Sequence, residues 1–218
     1  MPPLPASRIA ELLQPYLREG ITPSEDRQIT DIKYLTAQLE VFLDLLVRWN
    51  ARTNLTAIRD PEAMVTRHFG ESLFAARALS PRLKPSATLL DFGSGAGFPG
   101  LPIQLYRPDL KVTLAESQGK KASFLREAIR TLGLNTEVWS ARVEAMPTGK
   151  TFDCVTLRAV DNMDAALPAA INRASIPGWI AILAGAEPTT PPQIASNESP
   201  QKLTIPENDR SYLYLYPF

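Results

Sequence analysis

Residues 89–100 read LLDFGSGAGFPG, and this stretch decides the fold class of the chain. The apolar run 87–90 predicts a β-strand that leads to Asp91. Four glycines follow it, at Gly93, Gly95, Gly97 and Gly100. Glycines at this density allow sharp turns and let a ligand approach the backbone without meeting a Cβ atom. Because Pro99 suits the first turn of a helix, the stretch predicts the cofactor-binding end of a Rossmann-like unit.

The residue before the glycines distinguishes two kinds of cofactor. The spacing Gly95-x-Gly97-x-x-Gly100 fits the fingerprint of dinucleotide enzymes, so an NAD-dependent oxidoreductase is one interpretation. A dinucleotide would place its pyrophosphate at the helix N-terminus, where Asp91 adds like charge. S-adenosylmethionine has no phosphate but carries an ammonium and a sulfonium group, which a carboxylate favours. We therefore predict an S-adenosylmethionine loop, with a purely structural glycine turn as the remaining alternative.

The length and composition predict one α/β domain with an appendage. A chain of 218 residues buries about 70% of its unfolded surface on folding, so it needs no disulfide or metal ion to stabilise its fold. The single cysteine, Cys154, excludes an internal disulfide and lies in an apolar run, as a small core residue would. The first residues lack the pattern of a secretory signal, and no window approaches a membrane span. The sequence therefore predicts a cytoplasmic protein with no membrane partner.

Helical periodicity dominates the residues before the glycine loop. A first helix is predicted over 7–19. The capping-box pattern of Thr22 to Glu25 predicts a second helix that runs to Asn50, with a break near 30–31 as an alternative. The acidic start Asp60-Pro61-Glu62 predicts a third helix.

Strands and helices alternate from residue 87 onward, which is typical of a mostly parallel sheet covered on both faces. Strands are predicted over 87–90, 110–115, 136–140, 152–157 and 178–183, with helices over 120–132 and 162–174. After a loop over 187–200, an antiparallel hairpin over 202–205 and 212–216 is predicted to close the sheet. We therefore expect an N-terminal helical extension, residues 1–80, packed on a Rossmann-like methyltransferase domain, residues 81–218.

Polar residues at the strand ends complete the predicted cofactor site. Glu116 follows the second strand, at the spacing where an acidic side chain accepts hydrogen bonds from ribose hydroxyls. After the third strand, an adenine ring is expected to rest against the backbone and Val143. The fourth strand ends at Arg158, at the switch point where open α/β sheets bind ligands. The residues predicted to bind the cofactor are Asp91, Gly93, Ser94, Gly95, Gly97, Phe98, Glu116, Ser117, Arg142, Val143, Glu144 and Arg158.

The only histidine, His68, lies on the third predicted helix beside Arg67. A lone histidine next to Met64 and Val65 is more typical of a packed or capping side chain than of a catalyst. Glu71, four residues after Arg67, is explained equally well by a surface ion pair. No other soft ligands accompany His68, so no metal is expected.

The charge balance excludes a global polycation, because 23 basic side chains face 23 acidic ones. A nucleic-acid enzyme needs only a local basic face. The candidates for such a face are Arg48, Arg52, Arg59, Arg67, Lys120, Lys121, Arg126, Arg142 and Arg158. Scattered surface charge is the alternative explanation for most of them.

Taken together, these motifs resemble the bacterial small-subunit ribosomal RNA methyltransferase G family, also called GidB, over residues 20–216. The most specific marks are Arg48-Trp49-Asn50, Asn54-Leu55-Thr56, Arg59-Asp60-Pro61, Arg67-His68, Glu71-Ser72 and Gly97-Phe98-Pro99-Gly100-Leu101-Pro102. Further matches are Gly119-Lys120-Lys121, Phe124-Leu125-Arg126, Arg142-Val143-Glu144 and Arg158-Ala159. Glycine loops are common, whereas this Phe-Pro-Gly-Leu-Pro exit from one is not.

The resemblance implies a class I S-adenosylmethionine-dependent fold and transfer of a methyl group to N7 of a guanosine in the decoding-region loop of 16S rRNA. It also implies a monomer whose partner is 16S rRNA or a small-subunit assembly intermediate. N7 of guanine has an in-plane lone pair and no proton, so positioning and electrostatics suffice for catalysis. Arg158, Arg67 and His68 are the candidates for positioning guanine or RNA. Lys120, Lys121 and Arg126 are the candidates for phosphate contacts.

One departure from the family pattern affects the RNA site. The family usually has a lysine just after the fifth strand, and here the run is Leu183-Ala184-Gly185. Ala184 has no charge to offer RNA. This leaves a non-catalytic RNA-binding adaptor on a methyltransferase fold as an alternative function.

Overall fold

A computed structural model describes residues 4–17, 30–160, 163–188 and 199–218. Its strands form one sheet in the order β3-β2-β1-β4-β5-β7-β6. In chain order the strands are β1 Thr88–Phe92, β2 Lys111–Ala115, β3 Glu137–Trp139, β4 Phe152–Arg158, β5 Ala174–Ala184, β6 Gln201–Thr204 and β7 Tyr212–Pro217. The predicted sheet with a closing hairpin is confirmed.

β1 lies at the centre of the parallel part of the sheet. It pairs in parallel with β2 on one side and with β4 on the other. Leu89 and Leu90 are fully buried because helices cover both faces. The carboxyl ends of β1, β2 and β4 therefore meet at one edge, where ligands bind in open α/β sheets.

The C-terminal strands close the other side of the sheet. β7 pairs antiparallel with β5, and β6 pairs antiparallel with β7. The connection between β6 and β7 contains Asn208, whose side chain reaches back towards the centre of the molecule.

The helices are α1 Ala6–Leu17, α2 Ile32–Thr53, α3 Pro61–Met64, α4 Glu71–Leu79, α5 Gly100–Tyr106, α6 Gly119–Leu132 and α7 Met163–Ile171. Between α3 and α4 the chain forms a π-helical turn, Val65–Gly70. π-Helical turns are rare in proteins, and those that occur often lie at functional sites.

The N-terminal helices pack against the sheet domain through one apolar cluster. Leu39 and Phe42 of α2 belong to the same buried cluster as Leu89 of β1. α1 approaches the π turn closely, since a Cβ atom on Gly70 would lie 2.6 Å from the ring of Tyr16. The division of the chain at residue 80 stays a prediction.

Several element boundaries differ from those that the sequence predicts. Residues 30 and 31 are not helical, and α2 begins at Ile32, because Asp31 caps it by accepting a hydrogen bond from the Lys33 amide at 2.9 Å. The predicted helix 162–174 ends at Ile171, and β5 begins at Ala174 rather than at residue 178. The cause is pairing with β4, in which Phe152 lies opposite Ala174. The predicted helix start at 22–25 and residues 189–198 of the predicted loop lie outside the described residues.

None of the helices in the described ranges combines the length and the apolar character that crossing a membrane requires.

Candidate active site

A cavity of about 510 Å³ opens at the carboxyl ends of β1, β2 and β4. We call it the loop cavity. The predicted cofactor residues on its surface are Gly93, Ser94, Gly95, Phe98, Glu116, Ser117, Arg142, Glu144 and Arg158. Thr56, His68 and Lys121 also line it. The structure thus brings together most of the residues that the sequence predicts for the cofactor.

The glycines of the loop have two different roles. Gly93, Gly95 and Gly97 all have positive φ angles, of 70°, 56° and 88°, which favour glycine. A Cβ atom on Gly95 would meet no atom closer than 3.9 Å, so this position opens into the loop cavity. A Cβ atom on Gly97 would instead collide with the side chain of Leu101 in α5. The predicted contact between Gly97 and a cofactor is therefore corrected, because Gly97 serves the packing of the loop on α5.

Asp91 lies behind the surface of the loop cavity rather than on it. Its side chain is fully buried, and its two oxygens accept hydrogen bonds from the Gly100 amide at 3.0 Å and the Thr156 hydroxyl at 2.9 Å. Burial raises the pKa of this carboxyl group to about 6, although the bonds from Thr156 and Gly100 favour the charged form. The expected direct contact with a cationic cofactor is corrected: Asp91 fixes the entrance of α5.

Glu116 joins the glycine loop to the end of β2. Its carboxylate accepts hydrogen bonds from the amides of Gly95 at 3.0 Å and Gln118 at 2.7 Å. A carboxylate has about four lone-pair sites, so about two remain for a ligand. Since Glu116 lines the loop cavity, those sites are available to the hydroxyl groups of a ribose.

The residues after β3 are divided between the cavity and the core. Arg142 and Glu144 line the loop cavity and are exposed. Val143 is 4% exposed and belongs to an apolar cluster with Phe152 and Val155. The predicted contact between Val143 and an adenine ring is therefore corrected, because the start of a 3₁₀ turn at Val143 directs this side chain into the core.

Arg158 is the centre of a partly buried polar cluster at the end of β4. Its guanidinium group donates to Nδ1 of His68 at 3.1 Å, to the carbonyl oxygen of Arg67 at 2.6 Å and to Oε2 of Glu71 at 3.0 Å. Burial lowers the pKa of Arg158, and the charge of Glu71 raises it. The cluster holds the guanidinium group in one orientation at the cavity wall.

The contacts of His68 fix its tautomer. Arginine has only donors, so Nδ1 of His68 must accept the bond from Arg158. The proton of the neutral ring therefore lies on Nε2, which donates to the hydroxyl oxygen of Thr56 at 2.8 Å. Burial and the charges of Arg158 and Arg67 lower the pKa of His68 to about 3. His68 is consequently a neutral, fully engaged side chain at pH 7.

Glu71 joins three parts of the chain. It is 4% exposed, and its Oε1 accepts hydrogen bonds from Arg67 Nε at 2.9 Å and Asn208 Nδ2 at 3.1 Å. The surface-pair alternative for Arg67 and Glu71 is therefore wrong for Glu71, because the sheet and the hairpin bury its carboxylate. Sequence patterns missed Asn208, which lies 137 residues from Glu71.

Stacked aromatic rings pack against the polar cluster of Arg158. The ring of His68 stacks on Phe98 with centroids 4.8 Å apart, and Phe98 stacks on Phe42 of α2 at 5.4 Å. The guanidinium carbon of Arg158 lies 5.9 Å from the centroid of Phe98. The unusual Phe98 at the exit of the glycine loop thus holds both polar side chains in place.

The three predicted phosphate contacts lie along α6. Lys120 and Arg126 are exposed, and Lys121 is half-buried at the edge of the loop cavity. In the described ranges, no three His, Cys, Asp or Glu side chains are grouped so that they could hold a metal ion.

A second cavity of about 500 Å³ lies between the end of β4 and the C-terminal hairpin. We call it the hairpin cavity. Arg67, Glu71, Met163, Ala184, Ile205 and Ser211 are among its lining residues. It shares Arg158, Ala159 and Val160 with the loop cavity, so these three residues form a common wall.

Comparison with solved structures defines the class of the fold. A SAM-dependent methyltransferase from Aquifex aeolicus covers 76% of this chain and 96% of its own, with a TM-score of 0.52 and 18% identity. A 16S rRNA N2 methyltransferase from T. thermophilus, solved with AdoMet and guanosine, covers 67% of this chain and 42% of its own, with a TM-score of 0.52 and 17% identity. The chain therefore has the fold of class I S-adenosylmethionine-dependent methyltransferases.

Sequence comparison identifies the family. The model of the family described as rRNA small subunit methyltransferase G matches residues 35–202. The Ribosomal RNA small subunit methyltransferase G of Stenotrophomonas maltophilia is 44% identical over 162 residues, which cover 74% of this chain and 69% of the relative. That of Xanthomonas campestris pv. campestris strain B100 is 51% identical over 128 residues, so the match spans 58% of each chain. The chain belongs to the rRNA small subunit methyltransferase G family, which confirms the resemblance seen in the sequence.

Proposed function

We propose that this chain is an S-adenosylmethionine-dependent methyltransferase that methylates N7 of a guanosine in the decoding-region loop of 16S rRNA. The observation that carries the proposal is the loop cavity, in which the open backbone at Gly95 and the carboxylate of Glu116 face the polar cluster of Arg158. Family membership supports the same reaction.

The residues of the loop cavity fit S-adenosylmethionine. A Cβ atom on Gly95 would occupy free space in the cavity, as expected where a ligand lies against the backbone. Glu116 would hold the ribose hydroxyl groups. Arg142 and Glu144 line the same cavity, and we assign them to the purine end of the donor. The 16S rRNA N2 methyltransferase from T. thermophilus, which shares this fold, was solved in complex with AdoMet. When bound, this donor supplies a methyl group on a sulfonium.

The reaction requires no general base. With the donor held in the loop cavity, the N7 lone pair of guanine would form the new N–C bond, and the electron pair of the broken bond between carbon and sulfur would stay on sulfur. No proton moves, because N7 carries none. This agrees with a site in which the only histidine is neutral and has both ring nitrogens in hydrogen bonds.

The cluster around Arg158 supplies positioning and electrostatics. Its unused N–H groups would donate to O6 of guanine and leave N7 free for the methyl group. Guanine gains a positive charge when N7 is methylated. The buried carboxylate of Glu71, 3.0 Å from Arg158, offsets the charge of the guanidinium group beside it.

The partner would be 16S rRNA or an assembly intermediate of the small subunit, bound by a monomer in the cytoplasm, where that RNA is made. Lys120, Lys121 and Arg126 would contact its phosphates, since all three lie on α6 and Lys121 lines the loop cavity.

Incubation with labelled S-adenosylmethionine and undermethylated small subunits, or their purified RNA, tests the proposal. We expect label in 7-methylguanosine after nuclease digestion. Tight RNA binding without label on any of these substrates would contradict the proposal and favour the adaptor, the alternative motivated by Ala184. Tighter binding of NAD than of S-adenosylhomocysteine in calorimetry would favour an oxidoreductase.

A further inference from the structure

Thr56 is a residue of the loop cavity that the cofactor predictions from the sequence do not include. It is half-buried in the connection between α2 and α3, and it lines the cavity. Its backbone amide donates a hydrogen bond to Oδ1 of Asn50 at 2.9 Å. Nδ2 of Asn50 donates to the carbonyl oxygen of Ile58 at 3.1 Å. Asn50 therefore holds this connection on both sides of Thr56 and fixes the residue at the cavity wall.

The hydroxyl oxygen of Thr56 has both of its lone pairs occupied. A hydroxyl group can accept two hydrogen bonds and donate one. Nε2 of His68 donates to this oxygen at 2.8 Å, because Nδ1 accepts from Arg158, and the amide of Ile58 donates to it at 3.2 Å. The hydroxyl group can therefore only donate to a further group. No residue in the described ranges accepts its proton.

The sheet order places Thr56 at one end of the loop cavity. The strands at this edge follow the order β3-β2-β1-β4. Glu116 follows β2 and binds the amide of Gly95. Arg158 ends β4 and binds His68, which is the partner of Thr56. Thr56 therefore lies on the β4 side of the glycine loop, and Glu116 lies on its β2 side.

This placement matches Thr56 with one end of S-adenosylmethionine. The molecule has adenosine at one end and an amino acid part at the other. With the ribose at Glu116 and the purine towards β3, the amino acid part extends across β1 towards β4. That part has an ammonium group, which only donates hydrogen bonds, and a carboxylate, which only accepts them. A hydroxyl group without a free lone pair is complementary to the carboxylate alone.

We infer that Thr56 binds the carboxylate of the methyl donor through its hydroxyl proton, and that His68 orients this hydroxyl group. The inference rests on the proposed function, which places the adenosine end of the donor at Glu116. A hydrogen bond to a charged acceptor is stronger than one between neutral groups. It would fix the amino acid end of the donor and leave the methyl group free to face the acceptor base.

Removal of the hydroxyl group tests the inference with two ligands. Thr56→Val keeps nearly the shape of the wild-type side chain and lacks the hydroxyl group. The ligands are S-adenosylhomocysteine and its decarboxylated analogue, which keeps the ammonium group. We expect calorimetry to show a loss of about tenfold or more in affinity for S-adenosylhomocysteine, and a change of less than about twofold for the analogue. A purely structural defect would weaken both ligands alike, because they share the adenosine part.

Two further variants are controls. Thr53→Val removes a hydroxyl group that is also half-buried, donates to the carbonyl oxygen of Trp49 at 2.7 Å and does not line the loop cavity. It should leave both affinities unchanged. Thr56→Ser keeps the hydroxyl group and should bind S-adenosylhomocysteine within about threefold of the wild type. If Thr56→Val does not fold, Thr56→Ala replaces it, since the smaller side chain leaves room for a water molecule beside His68.

The outcomes separate this inference from the proposed function. Equal losses for the two ligands in Thr56→Val, or no loss for either, would overturn the inference, while a wild type that binds S-adenosylhomocysteine and methylates the RNA leaves the proposed function standing. A wild type that binds neither ligand and transfers no label from S-adenosylmethionine to RNA would overturn both.

Discussion

Two acidic residues near the ends of neighbouring strands show that the direction of a side chain decides whether it lines the cavity or is buried behind it. Asp91, the second-last residue of β1, faces inward and accepts a hydrogen bond from the amide of Gly100, whereas Glu116 follows β2 and lines the loop cavity. The sequence predicts both as cofactor ligands, and only the direction of each side chain separates them. The inward direction of Asp91 could have been predicted from the sequence. Side chains two residues apart lie on the same face of a strand, and Leu89, two residues before Asp91, packs in the core.

His68 gives a prediction at the residue scale. Its folded pKa of about 3 lies below the unfolded value of about 6.5, so only the unfolded state takes up the proton between these values. Stability contributed by neutral His68 is therefore present above pH 6.5 and is lost as the pH falls. The free energy of unfolding of the wild type, relative to His68→Gln, should fall by up to about 1.4 kcal/mol per pH unit from pH 6 to pH 4.

The comparison with His68→Gln is needed because Asp91 acts in the opposite direction. Its raised folded pKa of about 6 stabilises the protein at low pH, and this contribution is lost as the pH rises from 4 to 6. Urea unfolding of both proteins at several pH values provides the measurement. A difference between them that does not change with pH would show that His68 titrates normally.

Arg158→Ala tests the polar cluster. We expect affinity for S-adenosylhomocysteine to stay close to that of the wild type, since the glycine loop and Glu116 remain. The rate of methyl transfer should fall by about a hundredfold or more, because the donor proposed to hold guanine O6 is lost. Single-turnover kinetics separate the two quantities. A normal rate would remove Arg158 from the site.

At the scale of elements, the glycine loop is the part that the sequence describes best. The strand, the turn, the helix entrance and Glu116 at the end of the next strand all occur in the structure as predicted. Boundaries that depend on pairing between strands are harder to predict from the sequence. β5, for example, begins at Ala174 because that residue pairs with Phe152 of β4. The π turn at Val65–Gly70 has no local sequence signal that we identify.

Gly95→Val should abolish binding of S-adenosylhomocysteine, because the branched side chain would occupy the cavity where the donor lies. Gly133→Val is the matched control: Gly133 has a similar positive φ of 64°, and a Cβ atom there would meet no atom within 4 Å. Both variants should lose about 1–2 kcal/mol of stability to backbone strain. Calorimetry should show lost binding only for Gly95→Val, and equal affinity in both would contradict the assignment of the loop.

At the scale of the whole molecule, the sheet order brings distant segments to one edge. The order of β1, β2 and β4 follows from the alternation of strands and helices, so the place of the loop cavity is predictable. The hairpin cavity is not, because it depends on Asn208 and Ser211 returning beside Glu71 and Arg158. Contacts between residues so far apart in the sequence leave no periodic pattern to detect.

The basic residues of α6 give a prediction at this scale. Lys120→Ala and Arg126→Ala should each weaken RNA binding similarly for all sequences and reduce the slope of log affinity against log salt by about 1. Lys111→Ala is the control, since Lys111 is exposed at the opposite end of β2. Filter binding at several salt concentrations provides the data. An unchanged salt slope in both variants would place the RNA elsewhere.

The most direct test of the central claim is to map the methylated atom in the RNA. Undermethylated small subunits are incubated with the wild-type protein and S-adenosylmethionine, and the 16S rRNA is digested and analysed by nucleoside mass spectrometry. The account predicts one new 7-methylguanosine in the decoding-region loop, absent when Gly95→Val replaces the wild type. A methyl group on another atom or base, or no methyl group at all, would contradict it.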